Sequence, residues 1–237
     1  MKFEKYESRF QAGEILAEFI LKNSTELKNE LGKNTNKFFV FTIPNGGVPV
    51  AEGFCNKLDL NYDIIIVRKI KIPFNTEAGF GSITTDGTIL INKPLLNSLN
   101  LSKFQLEKSI EDTKNEIKER IEFYNKSPKL HEIYRKQIEN QYIFLMDDGL
   151  ASGFTMLAAI QMVNKYQPAK TYVAIPTAPL HTISRVQREV NEVFCPNSRN
   201  TMWFAVADAY QHWYDVPESE VLETIKKSKL YFENITE

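Results

Sequence analysis

Asp147 and Asp148 stand side by side in the stretch Tyr142-Ile143-Phe144-Leu145-Met146-Asp147-Asp148-Gly149-Leu150-Ala151-Ser152-Gly153-Phe154-Thr155-Met156. Adjacent carboxylates can hold neighbouring hydroxyls of a ligand. Gly149, Ala151, Ser152 and Gly153 carry little or no side chain, so their backbone N–H groups can approach an anion closely. The spacing describes a phosphate cradle with an acid pair beside it, suited to a ligand bearing both a phosphate and vicinal hydroxyls. Asn45-Gly46-Gly47 is a second candidate backbone anion site, competing with an ordinary Gly-rich turn. Arg68-Lys69, with Lys71 close behind, is a basic cluster that reads either as an anion contact or as a solvated pair.

These groups need elements to hold them. Residues 142–146 are continuously apolar, as expected of a strand buried on both faces of a parallel sheet. Asp147 and Asp148 then fall at its carboxyl end, where open α/β sheets keep their ligand crevices. The following helix carries Met156, Leu157, Ile160 and Val163 on one face, and its N-terminus adds positive potential to the same turn. Upstream, residues 8–31 read as one helix, residues 38–43 as a buried strand, 48–58 as a short helix and 62–67 as the next strand. Asn45-Gly46-Gly47 and Arg68-Lys69 follow two of these strands. The alternation implies parallel βαβ units.

Residues 70–92 break the pattern with Pro73, Gly79, Gly81 and Gly87, and residues 81–84 and 88–91 suit a small hairpin. Ser102-x-x-Gln105 is a capping box opening a helix striped with Leu106, Ile110, Ile117, Ile121 and Tyr124. Residues 171–175 form a further strand, Pro179 suits the first turn of a helix, and 190–195 a short strand. An aromatic tail (Trp203, Phe204, Tyr210, Trp213, Tyr214) precedes a last helix near 217–228. No repeat or flexible linker divides the chain, so residues 1–237 read as one domain.

Composition narrows the partners. The 29 Lys plus Arg nearly balance the 30 Asp plus Glu, so no global field draws the chain to nucleic acid or membrane, and any anion site must be local. Cys55 and Cys195 lie far apart and form no CxxC pair, so a reduced cytoplasmic protein is the default. His131, His181 and His212 show no metal-ligand spacing. The amino end lacks an apolar signal core, and no run approaches a membrane span.

The stretch 142–156 resembles the phosphoribosyl pyrophosphate (PRPP) binding motif of type I phosphoribosyltransferases: an apolar strand, two acids, a small turn, Ser-Gly, one residue, then Thr. The resemblance implies an α/β fold with a central parallel sheet flanked by helices, a hood from the chain ends, and a mobile hairpin loop at 70–92. It implies that Asp147 and Asp148 hold the ribose 2- and 3-hydroxyls. The turn, Gly149, Ala151, Ser152, Gly153, Phe154 and Thr155, would hold the 5-phosphate. Asn45, Gly46, Gly47, Arg68 and Lys69 would face the pyrophosphate. The cofactor implied is Mg²⁺, reached by Asp147 and Asp148 through ribose hydroxyls or water.

Close relatives have Arg where Asn45 stands, an exchange that removes a forked cation from a polyanion site. They also imply strain at Asn45–Gly46, in the form of a cis peptide. Enzymes acting on 6-oxopurines carry an acid in place of Ala151, and a methyl group cannot accept a proton, which points away from a hypoxanthine or guanine acceptor. Trp203, Phe204 and Trp213 are candidates to stack on the acceptor base, each competing with a core role.

The expected activity is transfer of a 5-phosphoribosyl group from PRPP to a purine or pyrimidine base in nucleotide salvage. The alternative is a PRPP- or nucleotide-sensing module of the same fold without turnover. A phosphoacceptor using Asp147 ranks below both. A homodimer is compatible with the sequence, which fixes neither the oligomeric state nor the acceptor.

Overall fold

A computed structural model describes residues 4–201 and 203–232; the outer ends of the 1–237 domain reading lie outside the described residues. In chain order the elements are α1 (Arg9–Asn23), α2 (Thr25–Lys33), β1 (Phe38–Thr42), α3 (Gly47–Leu58), β2 (Tyr62–Ile64), β3 (Val67–Ile72), β4 (Asn75–Thr84) and β5 (Ile89–Ile91). There follow α4 (Lys93–Ser98), α5 (Lys103–Phe123), α6 (Leu130–Ile138), β6 (Tyr142–Met146), α7 (Phe154–Asn164), β7 (Lys170–Ala174) and β8 (Thr177–Pro179). The chain ends with α8 (Leu180–Val186), β9 (Glu192–Phe194), β10 (Asn197–Arg199) and α9 (Glu218–Lys227).

The main sheet has the order β2-β1-β6-β7-β9, and every pairing in it is parallel. Its central strands β1 and β6 are almost wholly apolar because both faces are covered. Phe144 and Met146 of β6 join one core with Leu16 and Ile20 of α1, Phe54 of α3 and Ile225 of α9. Ile143 and Leu145 join the opposite core with Ile138 of α6 and with Met156, Ile160 and Val163 of α7. Each such side chain, taken fully from water, contributes about 1.5–3 kcal/mol relative to exposure. The sheet is therefore held from both sides, and its carboxyl edge is a rigid platform.

Helices α4 and α6 are not among the elements expected from the sequence, and two expected elements are interrupted. The single helix expected over 8–31 is broken at Ser24, which leaves the helical region (φ −123°, ψ 98°) and caps α2 by accepting from the Leu27 N–H. Serine competes with the helix for its own backbone bonds, so it serves better as a cap than as an interior residue. The strand expected over 62–67 ends at Ile64. Ile65 N–H still donates to Thr42 O, but Ile66 is drawn away because both its N–H and its carbonyl bond the Thr85 hydroxyl. Val67 then starts a separate antiparallel sheet of order β3-β4-β5.

The hairpin expected in 70–92 is present, with Gly81 opposite Ile91 and Ile83 opposite Ile89. Its turn is tied down. Asp86 Oδ1 accepts from the Thr84 hydroxyl and from both the N–H and hydroxyl of Thr88, while Oδ2 accepts from Tyr166 just beyond α7. At the opposite end, between β3 and β4, Phe74 stands exposed. The Ser102–Gln105 capping box opens α5 as expected, and Ile117 and Tyr124 are buried.

The amino-terminal segment meets residues 209–211 beside the end of β7. Tyr6 N–H donates to Ala209 O, Gln211 N–H donates to Tyr6 O, and the Tyr6 hydroxyl donates to Pro176 O. Among the described residues no helix is long and apolar enough to cross a membrane.

Candidate active site

β1 and β6 are neighbours, with Thr42 paired to Met146, so the loops leaving them emerge at the same level of the sheet. Ile43 N–H donates to Met146 O at 2.9 Å and ties the two exits together. The Pro44–Asn45 peptide is cis, one residue earlier than the cis bond expected at Asn45–Gly46. Gly46 lies directly against the acid pair. A Cβ there would fall 2.0 Å from Asp148 Oδ2 and 3.2 Å from Arg9 Nε. At Gly47 it would fall 2.4 Å from Thr42 Oγ1 and 3.1 Å from Asp147 Cα. Only glycine lets this loop come so close, so the loop and the paired acids share one rim.

The acids themselves are half-buried. Asp147 Oδ1 accepts from the Asp148 N–H at 2.8 Å, and Asp148 Oδ2 accepts from Arg9 Nε at 2.9 Å. The Tyr210 hydroxyl donates to Asp148 O at 2.6 Å. Burial pushes both carboxyls above the usual carboxylate range. The charge of Asp148 pushes Asp147 further up, whereas Arg9 pulls Asp148 back down. The Arg9 guanidinium lies over Trp213, 4.1 Å from the ring centre, with Tyr210 and Tyr214 each at 5.5 Å. Both chain ends thus converge on one carboxylate.

The turn after the acids is shaped for close backbone approach. A Cβ on Gly149 would meet Val206 Cγ1 at 2.7 Å and Thr177 Cγ2 at 2.9 Å. Gly153 takes φ +74° as the N-cap of α7, a left-handed conformation that favours glycine. Carbonyls of the turn point outward to fixed donors: Ala151 O accepts from Thr182 Oγ1 at 2.7 Å, and Ser152 O from Arg185 Nη1 at 3.0 Å. Leu150 N–H is taken by Thr177 O. Among the described residues, the N–H groups of Ala151, Ser152 and Gly153 meet no protein acceptor. Phe154 and Thr155 form the first turn of α7, whose N-terminus opens at the same place.

The remaining expected residues are placed differently. The Asn45 amide is already engaged, Nδ2 donating to Val216 O at 2.8 Å. Arg68 and Lys71 both pair with Glu116 of α5, at 3.2 Å and 2.6 Å, and Lys69 is exposed on β3. Trp203 is 91% exposed, Phe204 is half-buried, and Trp213 lies at the rim through Arg9. Arg9, Tyr210 and Arg185 complete the rim, and residue spacing does not single them out as site residues. Arg9 lies 139 residues from Asp148, in a helix whose sequence signal is its apolar stripe.

A parallel sheet with a glycine loop and an acid pair on its carboxyl edge defines an α/β protein of the phosphoribosyltransferase fold. The chain belongs to the phosphoribosyl transferase domain family, whose model matches residues 10–212. Two proteins of Mycobacterium tuberculosis, from strains CDC 1551 and H37Rv and provisionally named phosphoribosyl transferases, are each 26% identical to it over 189 residues. The match spans 80% of this chain but only 41% of the length of those relatives. The crystal structure of TT1426 from Thermus thermophilus superposes with a TM-score of 0.66 at 24% identity, over 93% of this chain and 97% of that one.

Proposed function

We propose that the protein transfers a 5-phosphoribosyl group from PRPP to a nitrogenous base, releasing pyrophosphate. The observation that supports this reading is the packing of Gly46 against Asp148, which brings the glycine loop beside the acid pair that leads into the turn 149–153. In this reading Asp147 and Asp148 orient the ribose hydroxyls, and the amides of Ala151, Ser152 and Gly153 hold the 5-phosphate. The backbone at Gly46 and Gly47 faces the pyrophosphate. Arg68 would have to leave Glu116 to join Lys69 in facing it.

The C1–O bond to pyrophosphate breaks, and its electron pair leaves on the pyrophosphate oxygen. The carboxylates' field favours the positive charge developing on the ribose; a ring nitrogen of the acceptor supplies the pair that bonds C1, and the base gives up its N–H proton to the departing pyrophosphate or to water. Asp147 and Asp148 are oxygen donors that suit a hard cation such as Mg²⁺, which keeps much of its shell for water and substrate phosphate. When bound, it supplies charge that stabilises the leaving group. Ala151, exposed in the turn and lacking any proton acceptor, favours an acceptor other than a 6-oxopurine.

A second reading, a sensor that binds PRPP or a nucleotide without turnover, draws support from two contacts. Asp148 already holds Arg9, and Asn45 is committed to Val216.

The test assays pyrophosphate release from PRPP and Mg²⁺ with a panel of purine and pyrimidine bases, for the wild type and for the double substitution D147N/D148N. Turnover on at least one base is expected, falling by about a hundredfold or more in the variant. Binding of PRPP without product on any base selects the sensor. Full activity of the double variant removes Asp147 and Asp148 from the mechanism.

A further inference from the structure

Arg9 is a charged side chain only 6% exposed, seated at a rim built for anions. One nitrogen of its fork is engaged, Nε on Asp148 Oδ2. The flat face of the guanidinium is fixed over Trp213. The terminal nitrogens Nη1 and Nη2 meet no protein acceptor among the described residues. A guanidinium carries five donors in a rigid plane, and those not held by Asp148 are free to meet an acceptor that arrives at the rim.

Its position says which acceptor. Nε lies 3.2 Å from where a Cβ on Gly46 would sit, so the guanidinium overhangs the glycine loop. That loop contributes no charge of its own, because Asn45 is neutral and its amide is held by Val216 O. Arg68, the other arginine assigned to the pyrophosphate by its place after a strand, is matched by Glu116.

We propose that Arg9 is the pyrophosphate-binding cation of this site: Nε stays on Asp148 while Nη1 and Nη2 donate to phosphate oxygens of the donor. This rests on the phosphoribosyl-transfer reading above and adds to it the residue that supplies the loop's missing charge. The planar fork suits two phosphate oxygens at once. Asp148 then serves two groups, one oxygen orienting Arg9 and the other left for a ribose hydroxyl. Trp213 keeps the guanidinium plane from turning away, which gives the aromatic tail a role other than stacking on the base. The N-terminal helix thereby becomes part of the donor site and not merely a cover for it.

The experiment measures binding of PRPP, inorganic pyrophosphate and ribose 5-phosphate, each with Mg²⁺, by calorimetry on the full chain, for the wild type, Arg9→Gln and Arg9→Lys. Arg9→Gln is expected to weaken pyrophosphate and PRPP by about tenfold to a hundredfold, the range for losing hydrogen bonds from a charged donor, and to leave ribose 5-phosphate within about threefold. Arg9→Lys keeps a charge opposite Asp148 and is the safer variant should Arg9→Gln not fold. It too should lose pyrophosphate selectively, by at least about threefold. Unchanged pyrophosphate affinity in either variant, or an equal loss of all three ligands, overturns the proposal and reduces Arg9 to a structural ion pair. A wild type that binds neither PRPP nor ribose 5-phosphate overturns the phosphoribosyl-transfer reading itself, and this inference falls with it.

Discussion

Among the described residues, two acid–base pairs have a buried cation, and they do different work. Lys126, just after α5, pairs with Asp63 of β2, both side chains being almost completely excluded from solvent. Asp63 Oδ1 also accepts from the Ile64 N–H at 2.7 Å. Burial pulls Lys126 below the ordinary lysine range, and the carboxylate opposes that pull. This pair is sealed inside the protein, closed off from solvent. The Arg9–Asp148 pair sits at the open carboxyl edge of the sheet, beside a glycine loop and under aromatic side chains, with donors left over. A pair sealed from solvent can only hold the fold together. An incompletely matched pair at a rim has capacity left for a ligand.

The sharpest way to break this contrast is Lys126→Met, which strands the Asp63 carboxylate in the interior. A loss of about 3–5 kcal/mol is expected, read from urea unfolding, because removing one partner of a buried pair leaves the other uncompensated. Pyrophosphate affinity of the folded protein should stay at the wild-type value. If Lys126→Met weakened pyrophosphate as Arg9→Gln is expected to, the two pairs would not be distinct.

Gly46→Ala tests the rim from the other side. Its methyl would fall 2.0 Å from Asp148 Oδ2, so the loop or the carboxylate must move. Overpacking of this kind costs about 1–3 kcal/mol. PRPP binding should weaken together with thermal stability, and a variant that binds PRPP as tightly as the wild type would show that the close approach does not matter.

The smallest effect is expected from Asp147→Asn, and its sign is opposite. The carboxyl of Asp147 is raised above its unfolded value by burial and by Asp148. The unfolded chain therefore releases this proton at lower pH than the folded one, and ionisation costs the folded state stability as pH rises through that window. The amide keeps an oxygen to accept from the Asp148 N–H. Asp147→Asn should melt higher than the wild type at pH 8, by on the order of a few degrees, with the gap closing towards pH 4. Equal melting temperatures at both pH values would mean that Asp147 titrates as an exposed acid. Stability gained at the expense of turnover is the pattern of a functional acid held in an unfavourable place.

What was legible in the sequence follows from short-range rules. Apolar runs over residues 38–43 and 142–146 locate strands buried on both faces, and the small residues after them locate the two loops. Placing both loops on one edge needs only the parallel alternation of strand and helix, and the pairing of Thr42 with Met146 brings them level. The hairpin and the α5 capping box were legible for the same reason, since turn and cap chemistry is local. Ser24 and Thr85 mark where local reading fails: a serine that caps instead of continuing a helix, and a threonine that pulls Ile66 off the sheet.

The amino-acid sequence by itself determined the family motif, the strand and helix that flank each of the two loops, and the acids and glycines of the rim. Those features depend on residue type and on spacing within a dozen positions. Only the tertiary structure decided which charges reach that rim. Asn45 is bound 171 residues away to Val216, Arg9 139 residues away to Asp148, and Arg68 to α5. Such partners are chosen when the chain ends fold back over a finished sheet, and contacts at that separation leave no periodicity in the sequence.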